Sequence, residues 1–161
     1  MIEITVHSKN GDCIALADDE DEELLNRHWR LRKGYATTRI YAGKRNGHSV
    51  QREVSMHRMV LGASIPEGKE TDHINRDKLD NRRSNLRPVT KLQNCQNLSA
   101  QKRNRTGLRG VQWDKANGLY KACARLNGVL HSFGYFTDPV EASAVVSAWR
   151  AKNMPYAVEG G

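Results

Sequence analysis

The chain has 161 residues, a hydrophobic content of 38% and a formal net charge of +8. No stretch approaches the roughly 18–20 consecutive apolar residues of a membrane span, and the first residues lack the pattern of a signal peptide, so we expect a protein that stays in the cytoplasm. The first 50 residues are nearly neutral, and the basic surplus lies in residues 51–161. This asymmetry indicates a polyanionic partner such as nucleic acid, with a basic protein that has no such partner as the alternative.

The cysteines do not indicate a structural metal or a disulfide framework. There are three of them, an odd number, and none forms a C-x-x-C pair. We therefore expect buried free thiols.

Residues 1–55 predict a β-rich lead-in. Ile2 to Val6 alternates, an Asn10-Gly11 turn follows, and Cys13 to Ala17 returns as a second strand. The acidic run from Asp18 to Leu25 predicts a solvated helix start, with a metal site as the alternative. Two further strands around a Lys33-Gly34 turn are predicted from Trp29, Tyr35, Ile40 and Tyr41.

Residues 56–98 concentrate polar side chains in the order strand, loop, strand, helix. Asp72 and His73 lie in the first extended segment, Asn85 begins the second, and Asn94 lies in the helix. The helix also carries Asn97, three positions further on and therefore on the same face. We expect these groups to converge where the elements meet.

These residue types suit the hydrolysis of a phosphodiester bond. The attacking water must lose a proton, and neutral histidine is a suitable base near pH 7. The phosphorane and the departing 3′ oxygen accumulate negative charge, which a divalent metal can absorb. Aspartate carboxylates and asparagine amide oxygens are hard ligands that suit Mg²⁺ or Mn²⁺ rather than zinc. The base also needs an acceptor on its second ring nitrogen to fix its tautomer.

The segment Asp72-His73-Ile74-Asn75, together with residues 81–87 and the Gln93-Asn94…Asn97 pattern, resembles the HNH nuclease motif, a ββα-metal fold. It is most similar to phage and intron-encoded homing endonucleases. The resemblance implies that His73 is the general base, that Asn85 orients it, and that Asp72 and Asn94 hold one divalent ion, Mg²⁺ or Mn²⁺. Asn97 is the rival ligand to Asn94.

The same resemblance implies a double-stranded DNA substrate and, for a phage protein, the cytoplasm of a bacterial host. Arginines near the motif are expected to contact DNA: Arg58, Arg82, Arg83 and Arg87. For His57, packing or a phosphate contact is favoured over catalysis.

Residues 99–106 predict a basic linker. Its cations either lie against phosphates or in a minor groove, or belong to a solvated tether. They are Lys102, Arg103 and Arg105.

Residues 107–155 predict three antiparallel strands and one helix. Asn127-Gly128 is a strong hairpin signal, and Asp138 is expected to cap a helix that begins at Pro139. The predicted buried stripe of that helix consists of Ala144, Val145, Ala148 and Trp149.

This region resembles the ethylene-response-factor (APETALA-type) DNA-binding domain. The matching segments are Arg109-Gly110-Val111, Trp113, residues 120–125, residues 133–136 and Glu141-Ala142. The resemblance implies that the sheet lies in the major groove and that its bare face reads DNA. The expected contacts are Arg109, Gln112, Lys121 and Arg125. Trp113 is expected in the core.

The complete prediction is an α+β protein. It has a lead-in (1–55), a ββα-metal nuclease core (56–98), a linker (99–106), a three-stranded antiparallel sheet packed on one helix (107–155) and a tail (156–161). We expect a monomeric, metal-dependent, sequence-directed DNA endonuclease with no obligate protein partner. The alternatives are a DNA-binding regulator with an inactive core and an RNA-binding protein, the latter disfavoured by an aromatic content of only 6%.

Overall fold

The computed structural model describes residues 1–100 and 103–158, so the predicted DNA contact Lys102 lies outside the described residues. The chain divides into two compact units, Met1–Thr90 and Lys91–Gly161. Within the described ranges, no helix has the length and apolar character needed to cross a membrane. The predicted α+β class is confirmed.

The first unit is built on a five-stranded sheet. Its strands are β1 (Ile2–His7), β2 (Cys13–Ala17), β3 (Trp29–Arg32), β4 (Tyr35–Arg45) and β5 (His48–Ser55). They lie in the order β2-β1-β3-β4-β5, in which β1 and β3 are parallel and the other neighbouring strands are antiparallel. The sequence analysis missed β5, which follows a tight turn at Asn46-Gly47 where both residues have positive φ.

The motif region shares a hydrophobic core with the lead-in strands. It contributes α1 (Met56–Leu61) and the antiparallel pair β6 (Glu70–His73) and β7 (Leu86–Val89). The backbone of β2 also pairs with the loop between β6 and β7: Leu16 N–H donates to Leu79 O at 2.8 Å, and Asn81 N–H donates to Leu16 O at 2.8 Å. The lead-in is thus part of the framework that holds this loop. The buried core residues are Ile4, Val6, Ala15, Ala17, Leu24, Trp29, Ala36, Met56, Val60 and Leu86.

The acidic run forms a 3-10 helix, Asp19–Asn26, and most of its acidic side chains are exposed, as expected. Asp21 differs, since it is buried and accepts a hydrogen bond from Arg83 Nη2 at 2.7 Å. Arg83 also pairs with Glu20 through Nε, and its backbone N–H donates to Asp18 Oδ2 at 2.7 Å. Burial raises the pKa of the Asp21 carboxyl, and Arg83 opposes that shift. The expectation of a solvated helix start therefore needs correction at Asp21, where the motif region supplies a cation.

The second unit contains α2 (Lys91–Gln96) and the predicted three-stranded sheet on one helix. The strands are β8 (Val111–Asp114), β9 (Leu119–Leu126) and β10 (Val129–Phe136), and the helix is α3 (Pro139–Asn153). The strands are antiparallel and lie in the order β10-β9-β8. The expected N-cap is present, since Asp138 Oδ1 accepts from Val140 N–H at 2.9 Å.

The predicted buried stripe of α3 is correct at Trp149, which packs against the core of this unit, and wrong at its other positions. Ala144, Val145 and Ala148 are exposed, and the helix buries Ala142, Val146 and Arg150 instead. Because alanine and valine occur on several faces of this helix, hydrophobicity alone does not predict its rotation. Val146 on the buried face comes close to Gly110, where a Cβ would lie 2.7 Å from Val146 Cγ1.

Two smaller expectations also need correction. Trp113, on edge strand β8, is 52% exposed rather than buried, and its ring contacts the Tyr120 ring with a centroid separation of 4.8 Å. All three cysteines are free thiols, but Cys95 is exposed, and Cys13 and Cys123 are half-buried.

The end of the predicted linker is structured rather than a loose tether. Asn104 Nδ2 donates to Leu108 O at 2.8 Å, and Thr106 Oγ1 donates to Val111 O at 3.0 Å. These bonds anchor residues 104–106 to the start of β8.

Candidate active site

The strand pair β6–β7 places the predicted catalytic residues at its end. Asp72 is opposite Arg87 and His73 is opposite Leu86 in the antiparallel register. Both Asp72 and His73 are buried, with exposed fractions of 7% and 5%. The loop of residues 74–85 leaves from His73 and returns at Leu86, so it lies beside both side chains.

Asn85 closes this loop on itself. Its Oδ1 accepts from Asn75 N–H at 2.9 Å, and its Nδ2 donates to Asp80 O at 2.8 Å. Its backbone carbonyl accepts from Ile74 N–H at 2.8 Å. A buried amide that satisfies backbone groups at both ends of a loop fixes the shape of that loop. In this structure Asn85, the predicted middle residue of the motif, therefore stabilises the closed conformation of the loop.

The acceptor that faces His73 comes from Asn81. Asn81 Oδ1 lies 3.3 Å from His73 Nε2, and Asn81 Nδ2 donates to Leu79 O at 2.9 Å. The second bond fixes which end of the amide faces the imidazole, so Nε2 is the ring nitrogen that carries the proton. A neutral His73 then has its lone pair on Nδ1. The orienting role predicted for Asn85 is supplied, in this contact, by Asn81.

The surroundings of His73 favour its neutral form. Burial lowers the pKa of the imidazole, while the hydrogen bond to Asn81 and the nearby carboxylates of Asp72, Asp77 and Asp80 oppose that shift. Burial is the largest of these effects. His73 is accordingly uncharged and able to accept a proton at neutral pH.

Asp72, the predicted metal ligand, forms an ion pair with its cross-strand neighbour. Arg87 Nε donates to Asp72 Oδ2 at 2.9 Å, and Arg87 Nη2 lies 2.8 Å from the same oxygen. The carboxylate is 8% exposed. Arg87 compensates a buried negative charge, and its predicted contact with DNA stays a prediction.

The other motif arginines are also bound by carboxylates. Arg82 donates to Asp80 Oδ1 through Nε and to Oδ2 through Nη2, both at 2.7 Å, and this bond lowers the pKa of the Asp80 carboxyl. Arg83 binds the acidic run described above and also donates to Val60 O at 2.7 Å. Arg82 thus forms a bidentate pair with one carboxylate, whereas the Arg83 guanidinium is shared between Glu20, Asp21 and a backbone carbonyl. Arg58 is exposed.

Two further rings lie against His73. The His57 ring is perpendicular to it, with an interplanar angle of 89° and a centroid separation of 5.1 Å. Tyr35 lies 5.9 Å from His73 and 5.2 Å from His57. His57 is buried and packs against both rings, and the preference for packing or a phosphate contact over catalysis stays a prediction.

The donor chemistry at Asp72 fits a hard divalent cation, because a buried carboxylate offers an oxygen ligand. Asn94, the second predicted ligand, lies on α2 in the other unit, and its share in a metal site stays a prediction. So does the rival role of Asn97. In residues 1–100 and 103–158, three close carboxylates at Asp18, Glu20 and Asp21 form another conceivable site. Arg83 pairs with Glu20 and Asp21, as Arg87 pairs with Asp72.

A similarity to a known protein family covers this part of the chain. Residues 54–96 match the family model described as HNH endonuclease. This matched range, called the HNH segment below, contains all four predicted motif positions, Asp72, His73, Asn85 and Asn94.

Two curated viral proteins are similar to the chain. An uncharacterized HNH endonuclease of Acanthamoeba polyphaga mimivirus is 34% identical over 112 residues, which cover 65% of this chain and 57% of that protein. Protein 3.8 of Escherichia phage T7 is 32% identical over 69 residues, which cover 43% of this chain and 57% of that protein. The chain thus spans a little over half the length of each relative. No solved structure matches significantly.

The predicted DNA contacts of the second unit lie outside the HNH segment. Gln112 and Lys121 are cross-strand neighbours on the sheet face opposite α3, and Arg125 lies on the same face further along β9. Arg125 is exposed, and its Nη1 donates to Gly128 O at 2.8 Å. Arg109 precedes β8 and is half-buried, with Nη2 lying 3.5 Å from Cys95 O. Arg103 and Arg105 are exposed.

Asn81 is the functional residue that the sequence analysis missed. Several asparagines lie within or close to the loop of residues 74–85, and the sequence does not reveal which amide is buried beside the histidine. Its exposed fraction is 1%, set by the pairing of its backbone with Leu16 in β2. That long-range pairing has no local sequence signal.

Proposed function

We propose that this chain is a metal-dependent endonuclease that hydrolyses phosphodiester bonds in double-stranded DNA, with His73 as the general base. The observation that carries the proposal is the buried pair of His73 and Asn81 inside the HNH segment. An imidazole whose Nε2 is held by an amide oxygen offers Nδ1 as the base. This arrangement has no evident value for stability, since it buries two polar side chains against each other.

In the proposed reaction His73 Nδ1 takes a proton from the attacking water. The water oxygen forms a bond to phosphorus, and the bond from phosphorus to the 3′ oxygen breaks. HNH nucleases generally use a divalent metal, which when bound neutralises the charge that develops on the phosphate and the leaving oxygen. Asp72 is the proposed carboxylate ligand, and Asn94 the proposed amide ligand. Mg²⁺ and Mn²⁺ suit this oxygen donor set.

We further propose that the sheet of the second unit selects the DNA site. Its face opposite α3 carries Gln112, Lys121 and Arg125, whose side chains suit contacts with base edges and phosphates. An arginine of this set binding guanine O6 and N7 is the expected direct contact. The proposed type is a homing-endonuclease-like enzyme that acts as a monomer.

The test is cleavage of plasmid DNA by the purified chain with Mg²⁺ or Mn²⁺. We expect nicking or linearisation that EDTA stops and that re-added Mg²⁺ restores. The His73→Ala variant, purified in parallel, controls for contaminating nucleases. Undiminished cleavage after complete chelation would exclude the metal-dependent mechanism. DNA binding without cleavage under all metals tried would favour a DNA-binding regulator with an inactive core.

A further inference from the structure

We propose that Tyr35 and His57 are positioning residues that hold the imidazole plane of His73, which rests on the proposed role of His73 as general base. Tyr35 is the first residue of β4 in the lead-in, and His57 lies on α1. Neither residue belongs to the spacing pattern that identified the site. Both reach His73 through packing between elements that are distant in the sequence.

The hydrogen bond to Asn81 leaves the orientation of His73 incompletely determined. At 3.3 Å it is long for an N–H···O bond, and it restrains one ring atom only. By itself, this one contact would allow the ring to tilt about the axis through that atom. Tilting moves Nδ1, and a base that departs from the line to the attacking water loses efficiency steeply.

The His57 ring restrains the plane of the His73 imidazole. It meets His73 edge-to-face, at 89° and 5.1 Å between centroids, which is the favoured geometry for two rings in contact. His57 is itself fixed, because Ser55 Oγ lies 3.0 Å from its Nε2. Tyr35 packs against both imidazoles, at 5.2 Å and 5.9 Å, so the three rings form a closed cluster.

Tyr35 also contacts the loop of residues 74–85. Lys78 Nζ lies 4.3 Å from the centroid of the tyrosine ring and donates to Lys33 O at 3.2 Å. A cation over a ring face is an attractive contact. The turn before β4 and the loop after His73 are therefore joined through Tyr35.

The ring of His57 matters more than its basicity. His57 is 8% exposed, and its Nδ1 is buried without a hydrogen-bond partner. Burial, followed by repulsion from His73 and Arg58, lowers the pKa of His57 to about 3, so the side chain is uncharged at neutral pH. A phenylalanine would present a ring of similar shape and would leave no buried nitrogen unsatisfied. The packing role therefore predicts that phenylalanine substitutes for this histidine.

The experiment compares His57→Ala with His57→Phe in the full chain. With saturating DNA and Mg²⁺, we expect His57→Ala to lower kcat about tenfold, while the KM for DNA and binding in EDTA change less than about twofold. His57→Phe should restore kcat to within about threefold of the unmodified chain. The exposed His48 on β5 provides the matched control, since His48→Ala should change neither constant. Tyr35→Leu should lower kcat in the same way, and Tyr41→Leu, which alters an exposed tyrosine on β4, should not.

NMR of the His73 ring separates positioning from a general loss of structure. Long-range coupling of ring protons to ring nitrogens should show one Nε2–H tautomer in the unmodified chain and a mixture in His57→Ala, both measured well below the melting temperature of the variant. Full kcat in His57→Ala would overturn the inference, and so would a His57→Phe variant that is folded yet as slow as His57→Ala. If His73→Ala cleaves normally in the same assay, the proposed function itself fails. If only His57→Ala cleaves normally, the function stands and the positioning role fails.

Discussion

The nuclease loop of residues 74–85 and the sheet face opposite α3 are both polar, but they use polar side chains in opposite ways. In the loop, Asn81 and Asn85 are buried and their amides are satisfied by backbone carbonyls, a backbone N–H and His73. On the sheet face, Gln112 and Arg125 are exposed. A site that performs chemistry needs groups fixed in advance, whereas a recognition surface needs donors that a partner can still engage. The contrast supports catalysis in the loop and DNA reading on the sheet.

The largest expected difference in cleavage rate is between the His73→Ala and Arg125→Ala variants. His73→Ala should lower the single-turnover rate at least about a hundredfold, because a general base contributes that much, and DNA affinity should hardly change. Arg125→Ala should leave the rate on saturated DNA intact. Asp72→Ala should abolish metal-dependent turnover.

Single-turnover cleavage and binding in EDTA, measured on the same preparations, decide this comparison. Near-normal cleavage by either first-unit variant would remove the proposed active site. A large loss of rate in Arg125→Ala on saturated DNA would show that the two regions do not have separate roles.

A second comparison concerns Arg83 and Arg58, which the sequence analysis both predicted to contact DNA. Arg83→Met should lower the free energy of unfolding by about 2–3 kcal/mol, because it leaves the buried Asp21 carboxylate without its cation and frees Val60 O. Arg58→Met, a change at an exposed arginine of the same region, should stay within about 0.5 kcal/mol. Urea unfolding of the full chain measures both. Equal, small effects would mean that the ion pairs of Arg83 add nothing to stability.

The motif positions could be located from the sequence because they follow a fixed spacing, and their catalytic and metal-binding roles stay predictions. Asp72, His73, Asn85 and Asn94 each lie inside the HNH segment, and the strands and the helix cap at Asp138 carry local signals. The tertiary partners were not predictable. Nothing near Arg83 in the sequence indicates that an acidic run some 60 residues earlier binds it.

The same limit explains the remaining errors. The buried face of α3 includes Val146, which comes close to the distant Gly110, and the buried Asn81 pairs through its backbone with Leu16. The cluster of Tyr35, His57 and His73 forms between a strand, a helix and a second strand. Local pattern describes each element, but contacts between distant elements decide which polar side chains become buried.

The sheet face gives a smaller expected effect than the active site. Arg125→Ala should weaken binding at the preferred DNA site by about 1–2 kcal/mol, the lower part of the range for a base contact, because Gly128 O already uses one guanidinium nitrogen. Lys115→Ala, at the exposed turn between β8 and β9, is the control and should weaken matched and scrambled DNA equally. Competition gels at two salt concentrations measure the difference. An equal loss on both DNAs for Arg125→Ala would make that residue a phosphate contact rather than a reader.

The smallest effect expected at neutral pH belongs to Asn81→Asp, and it tests how the loop tunes His73. Burial lowers the pKa of His73, and a general base works only when it is neutral, so activity should persist to lower pH than for an exposed histidine. The acid limb of kcat/KM should therefore have its midpoint below 6.5, the ordinary histidine value. A carboxylate in place of the Asn81 amide would favour the protonated ring and move that midpoint to higher pH.

At pH 8 the Asn81→Asp variant should keep a rate within about threefold of the unmodified chain, because the acceptor that holds Nε2–H is retained and the base is still neutral. Near pH 6 the two chains should differ much more. Asn10→Asp, at an exposed turn, is the control for an added negative charge and should not move the midpoint. A profile that is unchanged in Asn81→Asp would mean that this residue does not face the base during turnover. A loss that is equal at all pH values would instead assign Asn81 to the shape of the loop alone.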